Sequence, residues 1–67
     1  MVSEQAREIG DRLRKVRLRK NLSQEEVAYE LGLPVRSYKG YESGRNLAHY
    51  RRRRAILAWL EKQEAAA

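Results

Sequence analysis

Residues 23–34, SQEEVAYELGLP, place a start signal and a stop signal for a helix only about two turns apart. Ser23 and Glu26 have the S-x-x-E spacing of a capping box, in which hydroxyl and carboxylate each satisfy a backbone N–H that the helix leaves free. Leu22 and Val27 are spaced for the accompanying hydrophobic staple. Gly32 stops the segment, because only glycine takes positive φ without a steric penalty. The pattern predicts a helix over roughly residues 24–31, with Val27, Ala28 and Leu31 on its buried face. A tight turn follows, and Pro34 suits the first position of another helix, where its missing N–H is not needed.

That third segment contains LPVRSYKG, an odd run for a helix. Gly40 in a helix interior costs about 1 kcal/mol relative to alanine. Tyr38 and Tyr41 lie one turn apart and share a face, and Gly44 closes the segment in the turn-forming run SGRN. Upstream, residues 3–20 read as a helix with Ser3 as N-cap and Glu4 and Glu8 near its positive end. Ala6, Ile9, Leu13 and Val16 form its apolar stripe, and Asn21 suits the left-handed residue that ends it. Downstream, a last helix is expected from about Ala48 to Glu64, with the EAAA end fraying. Tyr50, Leu57 and Leu60 make one stripe on it, Ile56 and Trp59 another. A chain this small can bury only one of the two, so Ile56 and Trp59 are expected to form a homodimer interface or to bind a protein partner. No segment alternates as a strand does. The expected fold is all-α, a compact four- to five-helix bundle in a single domain over residues 1–67.

Composition narrows the function. The 67 residues include no cysteine, which removes disulfides and thiolate metal sites. His49 stands alone, with no second histidine and no Ser-His-acid arrangement, so neither a metal site nor catalysis is expected. No cofactor is implied. The longest apolar run, AILAWL, falls far short of a membrane span, and MVSEQAREIG lacks the features of a signal peptide. The expectation is a cytoplasmic protein with no membrane role. The net charge of +6 favours a polyanionic partner. Residues 12–20, RLRKVRLRK, hold six basic residues and no acid, whereas QEEVAYE holds three acids and no base. Arg51–Arg54 point around every side of a helix, so the run reads as mostly solvated, with one or two members meeting phosphates.

Two short helices joined by ELGLP have the form of a helix-turn-helix over about residues 23–43. The stretch LSQEEVAYELGLPVRSYKGYESGR resembles the helix-turn-helix of the phage Cro and repressor (XRE) family, whose fold is lambda-repressor-like. The resemblance rests on Leu22, Ser23-Gln24-Glu25-Glu26, Val27-Ala28, Leu31-Gly32, Leu33 and Glu42-Ser43-Gly44, and runs without gaps over roughly residues 9–46. It implies that Val35, Arg36 and Gly40 occupy base-reading positions, flanked by Ser37 and Lys39. It also implies that Gln24 touches the DNA backbone, that Arg45 and Asn46 meet phosphates, and that Arg17 and Glu42 form a salt bridge between the first and third helices. The chain departs from the family pattern in having Pro34 where a hydroxyl residue is usual, tyrosines at aliphatic positions, and RRRR where apolar residues are usual. That last departure puts a five-helix ending in doubt and allows one longer helix.

The residue chemistry agrees with that reading. An arginine at position 36 can bond guanine O6 and N7 together, and Val35 can meet a thymine methyl. Lys39 suits a phosphate or a single acceptor. Gln24 and the backbone N–H groups at the start of the second helix suit a phosphate oxygen. The expected function is a sequence-specific transcription regulator of bacterial or phage type. It would repress as a homodimer on a palindromic operator in double-stranded DNA. The alternatives are an excisionase-like architectural binder and an antitoxin-type interaction module.

Overall fold

The computed structural model describes residues 3–66 and contains four helices: α1 (Glu4–Arg19), α2 (Gln24–Leu31), α3 (Val35–Glu42) and α4 (Tyr50–Ala65). No strand occurs among the described residues, and none of the helices is long and apolar enough to cross a membrane. Of the two endings the sequence allows, the single longer helix is present. Ala67, the last residue of the EAAA run, lies outside the described residues, and α4 continues to Ala65.

The helix ends follow from local chemistry. Ser3 Oγ accepts from Ala6 N–H at 3.0 Å, and the Ser23–Glu26 box is complete, with bonds of 3.0 and 2.7 Å. Each of the first three helices closes on a left-handed residue: Asn21 (φ 58°), Gly32 (φ 70°) and Gly44 (φ 77°). The next residue's N–H then reaches back across the last turn: Leu22 to Arg17 O, Leu33 to Ala28 O and Arg45 to Gly40 O, at 3.0, 2.8 and 3.1 Å. These crossed bonds satisfy carbonyls that a helix end otherwise orphans. Pro34 stands one position earlier than expected. It is the residue before α3, extended at ψ 138°, and its carbonyl accepts from Tyr38 N–H at 3.0 Å.

One core joins all four helices. Ile9, Leu13 and Val16 of α1 meet Val27 and Ala28 of α2, Tyr38 and Tyr41 of α3, and Ile56 and Leu60 of α4, with Ala48 closing the cluster. The α4 expectation needs correction here. Ile56 is fully buried beside Leu60, whereas Tyr50 is exposed and Leu57 only half-buried. Ile56 and Leu60 are one turn apart and form the inward stripe, so Ile56 is not available to a partner. Trp59 is half-buried against the same core and donates its Nε1–H to Glu30 at 3.1 Å. Leu31, expected on the buried face of α2, is also only half-buried.

α1 contacts both α3 and α4. At the α3 contact the backbones approach so closely that only glycine fits. A Cβ on Gly10 would stand 2.6 Å from the Glu42 carbonyl oxygen and 2.8 Å from that of Tyr41. At the α4 contact the basic end of α1 grips the far end of α4. Arg12 binds Glu64 through two bonds of 2.9 and 2.7 Å, Arg19 donates to the Gln63 carbonyl at 2.9 Å, and Lys20 bonds the Gln63 side chain.

Candidate nucleic-acid interface

Glu42, at the last position of α3, fixes how that helix is presented. Its carboxylate accepts from Arg17 Nε at 2.6 Å and Nη2 at 3.1 Å, from the Tyr38 hydroxyl at 2.6 Å and from Gln24 Nε2 at 3.1 Å. Arg17 also donates Nη1 to the Leu22 carbonyl at 3.1 Å. One acid therefore ties together α1, the start of α2 and two turns of α3. Burial alone would raise the Glu42 pKa, but the bonds from Arg17, Tyr38 and Gln24 outweigh it and hold the carboxyl below its usual range. Tyr38 is pushed well above the ordinary phenol value, first by burial and then by its bond to Glu42. The Arg17–Glu42 pair that the resemblance implies is present, as one side of this four-residue network.

With Tyr38 and Tyr41 turned into the core, the opposite side of α3 faces outward. Arg36 and Lys39, three positions apart, are exposed on it, and Ser37 is half-exposed beside them. Val35 is half-buried against the core. Arg45 and Asn46 follow directly and are exposed, their backbone N–H groups both held by the Gly40 carbonyl at 3.1 and 3.2 Å. Gln24 is half-buried, and its side-chain nitrogen is engaged with Glu42. Arg36, Ser37, Lys39, Arg45 and Asn46 thus lie on one helix and the loop leaving it, with Val35 and Gln24 partly covered at the margins.

Gly40 does not belong with them. It is buried, and a Cβ there would stand 2.5 Å from Nδ2 of Asn46. The loop after α3 folds back over this position. The Asn46 side chain therefore covers Gly40 and sets it apart from the exposed residues of α3.

The basic run 12–20 also reads differently in three dimensions. Arg12, Arg17, Arg19 and Lys20 are spent on bonds within the fold, while Arg14 and Lys15 remain exposed. His49 is the exposed residue before α4. Sequence reasoning missed Gly10, whose signal was only a glycine on the buried side of a good helix. It also missed Tyr29, which stands 87% exposed among Glu25, Glu26 and Glu30 along a shallow groove on α2. The excess of acid over base in QEEVAYE was the visible trace of that surface.

A family model described as a helix-turn-helix domain matches residues 8–65, most of the chain. No curated protein matches the chain, and no solved structure does.

Proposed function

The chain belongs to the helix-turn-helix family of DNA-binding domains, and from that membership we propose that it is a sequence-specific transcription regulator of the Cro and repressor type, acting as a repressor. The observation that carries this reading is the presentation of α3: Arg36 and Lys39 point outward while Tyr38, Tyr41 and Glu42 lock the other side. A helix held so firmly can enter a major groove without losing its orientation, the docking geometry of this motif.

In this reading Arg36 bonds one guanine through two donors, and Lys39 and Ser37 take single acceptors beside it. The exposed part of Val35 meets a thymine methyl. Arg45 and Asn46 hold phosphates after the helix, and Gln24 holds one at the start of α2, positioning the helix without reading sequence. Residues 1–67 act as one DNA-binding domain, in the cytoplasm of a bacterium or of a cell carrying a phage. Two copies occupy half-sites about 34 Å apart, one helical turn, on a palindromic operator. Ile56 has no part in the pairing. A protein-partner role through α4 would rest on Trp59 and Leu57 alone.

Selection of bound duplexes from a random pool tests the proposal. An enriched inverted repeat with one-turn spacing is the expected result. A pool that emerges without any preferred sequence would overturn the claim of specific regulation.

A further inference from the structure

The run Arg51–Arg54 follows Tyr50 at the start of α4 and puts three of its four cations, Arg51–Arg53, in the first turn, the positive end of the helix, where cations are disfavoured. No acid lies in that turn, and His49 makes no side-chain cap. The structure divides the run in two. Arg52 donates Nη1 to the Tyr41 hydroxyl at 3.1 Å and Arg53 donates Nη1 to the Ala48 carbonyl at 3.5 Å, so this half-buried pair fastens α4 to α3 and to the preceding loop. Arg51 and Arg54 are exposed, and neither forms an ion pair among the described residues. They lie three positions apart, so both are on one side of α4. The Arg54 guanidinium sits 5.8 Å from the ring centroid of Tyr50, which is itself 62% exposed.

We propose that Arg51 and Arg54 form a second phosphate clamp for duplex DNA, separate from Arg45 and Asn46, with Tyr50 bracing Arg54. The proposal rests on the DNA-binding reading above and adds to it. Its carrying observation is two outward, unpaired guanidiniums on one side of the start of α4, with Arg51 in the turn that disfavours it, so that the missing complement is an anion. The same duplex is proposed as the partner because the Arg52–Tyr41 bond ties the start of α4 to the helix that carries Arg36 and Lys39. Asn46 and Tyr50 can lie no more than about 14 Å apart along the chain. In this proposal the clamp extends the phosphate contacts of Arg45 and Asn46 along the chain. Guanidinium forks suit phosphate oxygens, and the contact carries no sequence information.

The test is fluorescence anisotropy of the full chain on a labelled duplex of mixed sequence, over a range of salt. Each phosphate neutralised contributes a slope of about 0.9 in the plot of log affinity against log salt. Arg51→Gln/Arg54→Gln is expected to reduce that slope by about 1.8, and Arg51→Lys/Arg54→Lys to retain most of it. Arg14→Gln/Lys15→Gln, an equal charge change at exposed positions of α1, is expected to leave the slope nearly unchanged. An unchanged slope, or an equal loss in the Arg14/Lys15 variant, would each overturn the clamp while leaving DNA binding intact. Failure of the wild-type chain to bind the duplex would instead overturn the functional reading, and the clamp with it.

Discussion

The Arg17 guanidinium and the Glu42 carboxylate meet edge to edge, Nε to Oε1 at 2.6 Å and Nη2 to Oε2 at 3.1 Å, with only 7% of the Glu42 side chain exposed. Two parallel bonds fix direction as well as distance. Because Glu42 also receives Tyr38 and Gln24, removing it strands three donors at once. Glu42→Ala should lower the unfolding free energy by about 3 kcal/mol, the scale for breaking a buried pair from one side. A domain of this length has roughly 3–10 kcal/mol in all, so urea denaturation should show the variant close to unfolding. Arg17→Met combined with Glu42→Ala should cost much less than the sum of the two. Full additivity would mean that the two groups are not coupled.

The same network predicts how stability varies with pH. Glu42 holds its proton less readily in the fold than in the unfolded chain. Its contribution is therefore complete above about pH 4.5 and is lost as pH falls through the lowered folded value. Glu64, lowered by its bond from Arg12, acts in the same direction. Tyr38 has the opposite sign. Its raised pKa leaves stability complete below about pH 10 and erodes it above, where the unfolded tyrosine ionises. Denaturant midpoints measured against pH should fall at both ends. Glu42→Gln should flatten the acid arm in part, and Tyr38→Phe the alkaline one.

Gly10 and Gly40 look alike in sequence, as glycines inside helices, and should respond in opposite ways to alanine. At Gly10 the new Cβ meets backbone oxygens of Tyr41 and Glu42, which cannot yield without moving α3. Overpacking of this kind costs about 1–3 kcal/mol and exceeds the gain of about 1 kcal/mol in helix propensity. At Gly40 the near atom is the end of the Asn46 side chain, which can swing aside. Gly40→Ala should melt within a few degrees of wild type, and Gly10→Ala clearly below it.

Arg36 and Arg45 separate reading from anchoring. Arg36→Ala should relax preference at one base position in a selection from random duplexes, with a loss of about 1–3 kcal/mol on the preferred site. Arg45→Ala should weaken all duplexes alike and reduce the salt slope by about 1. Equal weakening of every sequence by both changes would show that Arg36 is not a base reader.

Most of the framework was legible along the chain because it is local. Ser3, the Ser23–Glu26 box, Asn21, Gly32 and Gly44 act within one or two turns, and each stands where its residue type requires. The α1 stripe was legible for the same reason, as Ala6, Ile9, Leu13 and Val16 recur at helical spacing and are all buried. The α4 stripe was not. Leu57/Leu60 and Ile56/Trp59 fit helical spacing equally well, and periodicity cannot say which way a helix with two apolar stripes will roll.

The sequence by itself determined the first three helices, the caps of α1 and α2, the tight turn between α2 and α3, and the outward placing of Arg36 and Lys39. Those features depend on neighbours a few residues away. Tertiary structure alone decided that Ile56 lies inside and that Gly40 is covered by Asn46. It also decided that much of the basic run of α1 is used to hold the fold together. It split Arg51–Arg54 into two inward and two outward guanidiniums. Each of these depends on partners brought close by packing, such as the core residues of α1–α3 around Ile56, Glu42 for Arg17 and Tyr41 for Arg52. Contacts between residues far apart in the chain exist only once the core has set the helices against one another.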